Sequence, residues 1–287
     1  MSGITEGRRI AASVLRSVSR GRRLDLAFSE AAQGHETRER RWAQEACYGA
    51  VRLRGRLDHL LGLHLRKGLS SLSPLLLDLL RLGSYQLLYM DGVPAYAAIS
   101  QTVDQAREVA GEGGARLANG VLRNLEREGG DEGRFPGLDA SPLDYLSTWG
   151  SHPTWMVARW LERWDPGEVR RLVEKNNTPP PLFLRPLGPS PAAAARLLSE
   201  EGWTAGEIGG GVPCLLLEGG TDPAQILTAL PGIVQDPGAA LVTEYADVPP
   251  GTLLADLCAA PGGKALALAA AGVRVLAADR SLTRLKV

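Results

Sequence analysis

The 287-residue sequence is poor in cysteine, lysine and phenylalanine, with three, four and three of them. Cys47, Cys214 and Cys258 stand far apart and form no CxxC pair. That excludes a disulfide scaffold and a cysteine zinc site, predicts no metal, and suits a reducing cytoplasm. No uncharged apolar run reaches the roughly 18 residues of a membrane span. Arginines at 8, 9, 16 and 20 interrupt the N-terminus too often for a signal-peptide core. Net charge is also absent, with 32 basic residues against 32 acidic ones. Apolar residues at 44% and charged residues at 22% are the proportions of a globular protein, and exclude disorder and collagen. The length suits about two domains.

The zero net charge hides an asymmetry. Residues 1–60 hold 12 arginines and only 7 acidic residues, while residues 61–128 balance at 7 and 7. Arg8, Arg9, Arg16, Arg22, Arg23, Arg40 and Arg41 are the candidate contacts to a polyanion, since the planar guanidinium fork matches phosphate. A solvated helix face in an arginine-rich protein is the simpler account on charge alone.

Up to Glu128 the apolar period is helical. Ile10, Val14, Leu15 and Val18 form one stripe, and a short helix fits Leu24 to Gln33. Trp42, Cys47, Val51, Leu57, Leu60, Leu61 and Leu65 line a longer segment. Ser73-Pro74 reads as an N-cap with proline in the first helical position, opening a central buried helix over Leu75–Met90. Ala95–Val109, closed by Gly111, and Ala115–Glu128 complete five to seven helices with no strand signal. Residues 4–128 are thus predicted as an all-α domain and 129–148 as a Gly/Asp/Glu-rich linker. Residues 149–240 are predicted as a middle α/β segment with strands near Leu182–Arg185, Cys214–Leu217 and Gly232–Gln235. Four of the six tryptophans fall in 149–164. Their near-helical spacing favours packing over a base-stacking platform.

Residues 241–287 carry the chemistry. The order is strand (Leu253–Cys258), glycine-rich turn, helix (Lys264–Ala271), strand (Val273–Ala278), then Asp279. In a parallel βαβ unit the first turn brings backbone close to a ligand, and an acid at the second strand tip is placed for a ribose diol. A P-loop would need glycine where Cys258 stands and Ser or Thr where Ala265 stands; a dinucleotide site would need GxGxxG. Both fail, which leaves an adenosine cofactor without pyrophosphate, such as S-adenosyl-L-methionine.

The string Asp256-Leu-Cys-Ala-Ala-Pro-Gly-Gly-Lys264 resembles the S-adenosylmethionine motif of the RsmB/Sun family of RNA 5-methylcytosine methyltransferases. Upstream, Arg9-Ile-Ala-Ala12, Leu87-Leu-Tyr89, Val93-Pro-Ala-Tyr-Ala-Ala-Ile99 and Asn119-Gly-Val-Leu-Arg123 resemble the NusB-type RNA-binding helical domain fused to RsmB enzymes. His152-Pro-Thr-Trp155, Asn176-Asn-Thr-Pro179 and Val234-Gln-Asp236 are similar to that family's middle segment. The resemblance implies a multidomain chain: a NusB-like helical domain, a small α/β segment, and the first βαβ of a Rossmann-like methyltransferase domain. It implies methylation of cytosine C5 in small-subunit ribosomal RNA by a cytoplasmic monomer, without membrane or metal. Cys258, Ala259, Ala260, Pro261, Gly262, Gly263 and Lys264 would line the cofactor and Asp279 would hold the ribose, with Asp256 organising the turn. Ala265 departs from the family's usual Thr or Ser.

The family's chemistry uses a cysteine–cytosine adduct, with cysteines in Pro-Cys and Thr-Cys motifs beyond the second strand of this domain. The resemblance implies that those positions lie past Val287. An isolated two-stranded parallel sheet would also leave apolar edges bare. The expectation is therefore the N-terminal part of a longer RsmB-like enzyme, inactive by itself. The competing expectation is a non-catalytic NusB-like RNA-binding or antitermination module, which would have no use for the 258–264 turn.

Overall fold

A computed structural model describes residues 3–218 and 222–285, in two compact units that divide between Thr178 and Pro179. The first unit is helical: α1 (Glu6–Ser19), α2 (Leu24–Ala31), α3 (Thr37–Arg52), α4 (Arg54–Gly62), α5 (Pro74–Tyr89), α6 (Ala95–Glu128), α7 (Pro142–Thr148), α8 (Thr154–Leu161) and α9 (Pro166–Asn177). The expected stripe of α1 is its buried face, with Ile10, Val14 and Leu15 inside. Ser73 Oγ accepts the Leu76 N–H at 3.3 Å and Pro74 takes the first helical position, so α5 starts where the sequence predicts. This helix is the centre of the unit. Leu82 and Tyr85 join α1–α3 in one core, while Leu76 and Leu80 join Leu61, Ile99, Ala118 and Leu122 in another. A Cβ on Gly49 would lie 1.9 Å from the Tyr85 ring, so only glycine allows α3 to come this close to α5. Gly111, at φ 63°, breaks α6 at the predicted place.

Four polar side chains of α5 lie inside, those of Asp78, Arg81, Ser84 and Gln86. Arg81 donates through Nε and Nη2 to the two Asp58 oxygens, at 2.7 and 2.9 Å, and through Nη1 to Asp78 Oδ1 at 2.9 Å. Ser19 Oγ donates to Asp78 Oδ2 at 2.6 Å. Gln86 Oε1 accepts from Arg8 Nε at 2.8 Å. The burial of these groups is possible because each charge meets an opposite one or a hydrogen bond.

The stretch with the composition of a linker packs instead. Phe135 is buried, stacks on His59 at 4.7 Å and meets the Trp149 edge at 5.2 Å. In α7, Tyr145 and Leu146 are buried against Val157 of α8 and Val169 and Val173 of α9. One aromatic anchor and a short amphipathic helix outweigh the glycine content. An Asp165–Glu168 capping box with Pro166 opens α9, so helical structure runs on to Asn177 and the α/β texture begins only at Leu182. Of the clustered tryptophans, Trp149 and Trp160 pack in this core, whereas Trp155 and Trp164 are exposed.

The second unit contains β1 (Leu182–Pro186), α10 (Pro191–Glu200), β2 (Ala205–Glu207), β3 (Leu215–Leu217), α11 (Pro223–Ala229), β4 (Gly232–Val234), α12 (Pro237–Ala246), β5 (Leu253–Asp256), α13 (Gly263–Ala270), β6 (Arg274–Ala277) and α14 (Leu282–Leu285). The first four strands form an antiparallel sheet in the order β2-β3-β1-β4, with Leu184 opposite both Leu215 and Val234. Leu184, Leu215 and Leu217 lie in a core closed by Ala194 and Leu198 of α10 and Ile226 of α11. Strand β2 has no sequence signature, being three residues of an edge around Gly206. Strands β5 and β6 pair in parallel, Leu254 opposite Val275, joined through α13. Leu253, Leu257, Leu266 and Leu276 remain exposed around this pair.

Candidate functional site

The β5–α13 turn is held by its own carboxylates. Asp256 Oδ1 accepts the Cys258 N–H at 3.2 Å. The Ala259 N–H donates to Ala278 O at 2.9 Å, and the Ala278 N–H to Asp256 O at 2.8 Å, which fastens the turn to the end of β6. A cis peptide joins Ala260 to Pro261. Gly262 then takes φ 112°, a left-handed conformation that a side chain resists, and serves as N-cap of α13 without a capping side chain. The first-turn N–H groups of α13 are therefore left for solvent or a ligand. A Cβ on Gly262 would meet only the tip of Leu266, at 3.9 Å, so the space over the turn is open.

Asp279 lies across from this turn and is bonded to it. Its Oδ2 accepts the Ala260 N–H at 3.1 Å and its Oδ1 accepts the Ser281 N–H at 2.8 Å. The Ser281 N–H bond holds the carboxyl below the ordinary aspartate range. Desolvation works against it, and the Ala260 N–H and the positive Arg284 and Arg280 add to it. Each oxygen keeps a further lone pair for a donor. The structure thus brings together residues 258–264, which are consecutive, with Asp279, which is not.

Two supports of the turn lack a local sequence signal. Gly263 sits so close to Gln235 that a Cβ would lie 3.2 Å from its Nε2. Gln235 is buried, and its Oε1 accepts from Arg185 Nη1 at 3.4 Å; the same guanidinium donates to Thr243 Oγ1 at 2.5 Å and Glu244 Oε1 at 2.6 Å. Arg185, one charged residue in an otherwise apolar strand, so ties β1 to α12 and to the end of β4 behind the glycine. The second support is Arg284, whose Nη2 donates to Ala260 O at 3.3 Å.

The seven candidate arginines separate into three groups. Arg8 is buried: its guanidinium lies 5.0 Å from the Trp42 ring centre, donates to Gln86, and has its pKa pulled down to about 10 by burial, with Glu39 pushing the other way. It is an interior group, which corrects its reading as a surface contact. Arg8, Ala11 and Leu15 share one helix face, and that spacing is the signal that places Arg8 inside. Arg9 pairs with Glu108, Arg22 with Glu30 and Arg23 with Asp25. Arg16, Arg40 and Arg41 are exposed and form no ion pair among the described residues. The thiols also divide. Cys47 and Cys214 are buried, and burial pushes the Cys47 thiol up to about 12 and raises that of Cys214, while Cys258 is exposed on the turn.

Residues 5–127 match the NusB family, and residues 152–222 match the RsmF/B-like methyltransferase ferredoxin-like domain. The chain thus combines a NusB-type segment with one of the RsmF/B-like ferredoxin-like kind. A probable ribosomal RNA small subunit methyltransferase B of Synechocystis sp. is 33% identical over 268 residues, 90% of this chain and 59% of that one. The ribosomal RNA small subunit methyltransferase B of Vibrio cholerae is 32% identical over 286 residues, 96% of this chain and 63% of that one. The chain thus spans about three fifths of the length of the curated relatives it matches. The crystal structure of PH0851 has the same fold, with a TM-score of 0.71 over 98% of this chain and 65% of that one, at 19% identity.

Proposed function

We propose that this chain supplies the RNA-binding and cofactor-binding parts of an S-adenosyl-L-methionine-dependent methyltransferase, acting in the cytoplasm on cytosine C5 of small-subunit ribosomal RNA. The observation that carries the reading is the convergence of an ionised Asp279 and the uncapped first turn of α13 on one open, glycine-lined turn. These groups fit an adenosine cofactor. The remaining lone pairs of Asp279 accept the ribose hydroxyls, the first-turn N–H groups offer donors, and Gly262 leaves room above the backbone. Bound S-adenosyl-L-methionine would supply an electrophilic methyl group. Cytosine C5 becomes nucleophilic only after a thiolate adds to C6. Cys47 and Cys214 are shut inside the fold, and Cys258 belongs to the cofactor turn. None of these three cysteines is therefore assigned as the nucleophile.

Thiol labelling tests the cofactor part without relying on turnover. Iodoacetamide at pH 8 is expected to modify Cys258 in the native chain, and Cys47 and Cys214 only after unfolding. S-adenosyl-L-methionine should slow Cys258 labelling in proportion to occupancy, while ATP and NAD should not. Labelling that is indifferent to S-adenosyl-L-methionine at saturating concentration would remove the cofactor assignment. Methyl transfer to small-subunit ribosomal RNA by this polypeptide alone is expected at background. Robust transfer would require one of its own three cysteines as nucleophile.

A further inference from the structure

The helical unit has a groove of about 390 Å³ between the segment that follows α4 and the C-terminal half of α6. His64, Arg66 and Lys67 line it from the first segment, and Arg116, Gly120 and Asn124 from α6. Among the described residues no carboxylate lines it. Arg66, Lys67 and Arg116 are exposed, and among the described residues none forms an ion pair. Of the other exposed arginines of this unit, Arg22, Arg23, Arg107 and Arg123 are each matched by a carboxylate, while Arg16, Arg40 and Arg41 form no ion pair among the described residues. Three unmatched cations around one concavity concentrate positive potential there.

A second observation is independent of charge. The His64 side chain is only 6% exposed, and its Nε2 is buried without a hydrogen-bond partner among the described residues. Glu128 Oε2 stands 3.9 Å away, outside hydrogen-bond reach. A buried polar atom left unmatched is costly, and here it forms part of the wall of a cationic groove. The Asn124 amide adds a group that both donates and accepts.

We propose that this groove, and not the N-terminal arginines, is where the helical unit grips RNA backbone phosphates. Arg66, Lys67 and Arg116 neutralise the phosphates, and His64 and Asn124 hydrogen-bond the backbone. The inference rests on the reading of this unit as RNA-binding. It is favoured over the N-terminal surface because four of the seven arginines there are spent, Arg8 by burial and Arg9, Arg22 and Arg23 by pairing, whereas Arg66, Lys67 and Arg116 are all unpaired among the described residues and line one groove.

The test is fluorescence anisotropy of a labelled RNA hairpin with the full chain across a salt series. The Arg66→Gln/Lys67→Gln/Arg116→Gln variant should bind about tenfold or more weakly, and its slope of log Kd against log salt should flatten by roughly 2, as expected for three lost phosphate contacts. An Arg16→Gln/Arg40→Gln/Arg41→Gln variant should stay within about threefold of wild type. Gly120→Glu adds a carboxylate to the wall where a Cβ meets no atom within 4 Å, and should weaken RNA binding with unchanged thermal melting. Wild-type binding by the groove variant would overturn the proposal while leaving RNA binding intact. A wild-type chain that binds no hairpin would overturn the RNA reading itself. Inorganic pyrophosphate that binds and displaces RNA at equal concentration would overturn the RNA assignment in favour of a free phosphate ligand.

Discussion

Arg81→Met is expected to destabilise the helical unit by roughly 3–5 kcal/mol, read as an earlier urea transition and faster hydrogen exchange in α5. The Arg81 side chain is 9% exposed and Asp78 only 6%, while Asp58 is 24% exposed. Removing the guanidinium strands a buried carboxylate at Asp78 and leaves Asp58 without its two-pronged partner. Burial works against the charge on Arg81, but the hydrogen bonds and charge of Asp58 and Asp78 more than compensate, so its pKa stands above the ordinary arginine value. The cost therefore comes from leaving the partners unmatched rather than from the net worth of the pair. Arg81→Met combined with Asp78→Leu should recover much of the loss, because an apolar replacement of a buried pair is often neutral. A loss below about 1 kcal/mol for the single variant would make this an ordinary surface pair.

Asp279→Ala is expected to weaken S-adenosyl-L-methionine binding about 100-fold, measured by titration calorimetry. A charge-assisted hydrogen bond to a ribose hydroxyl is worth about one factor of ten, and the carboxylate supplies two. The substitution also releases the Ala260 and Ser281 N–H groups, so Cys258 should label at a changed rate even without cofactor. The sign of the pH dependence follows from the lowered carboxyl pKa. Its stabilising contribution is present above the ordinary aspartate value, about 3.9, and disappears as pH falls through the lower folded value. The difference in urea midpoint between wild type and Asp279→Asn should therefore be constant from neutral pH to about pH 5 and close only in stronger acid. A difference that closed near neutrality would mean another group controls the turn.

Local physics made much of this protein legible. The Ser73-Pro74 start of α5, the break at Gly111, and the strand–turn–helix–strand order ending at Asp279 all rest on residues close in sequence: caps, glycines and alternation of apolar positions. Composition misled where it stood in for contact. The 129–148 stretch is rich in glycine, aspartate and glutamate, yet Phe135, Tyr145 and Leu146 anchor it in the core. Arginine counting placed Arg8 on the surface, although its position on the Ala11–Leu15 face places it inside.

The helical first unit, the βαβ order and the candidate cofactor residues were written in the amino acids alone, because helix periods, caps and turn glycines act over a few residues. Which charges are free and which are spent emerged only from packing. Arg81 meets Asp58 across 23 positions, Arg185 supports Gln235 behind Gly263 across 50, and Asp279 closes on Ala260 across 19. Such pairings depend on which surfaces the packed helices and sheets bring together, and a charged residue has the same local pattern whether its partner waits in solvent or in the core.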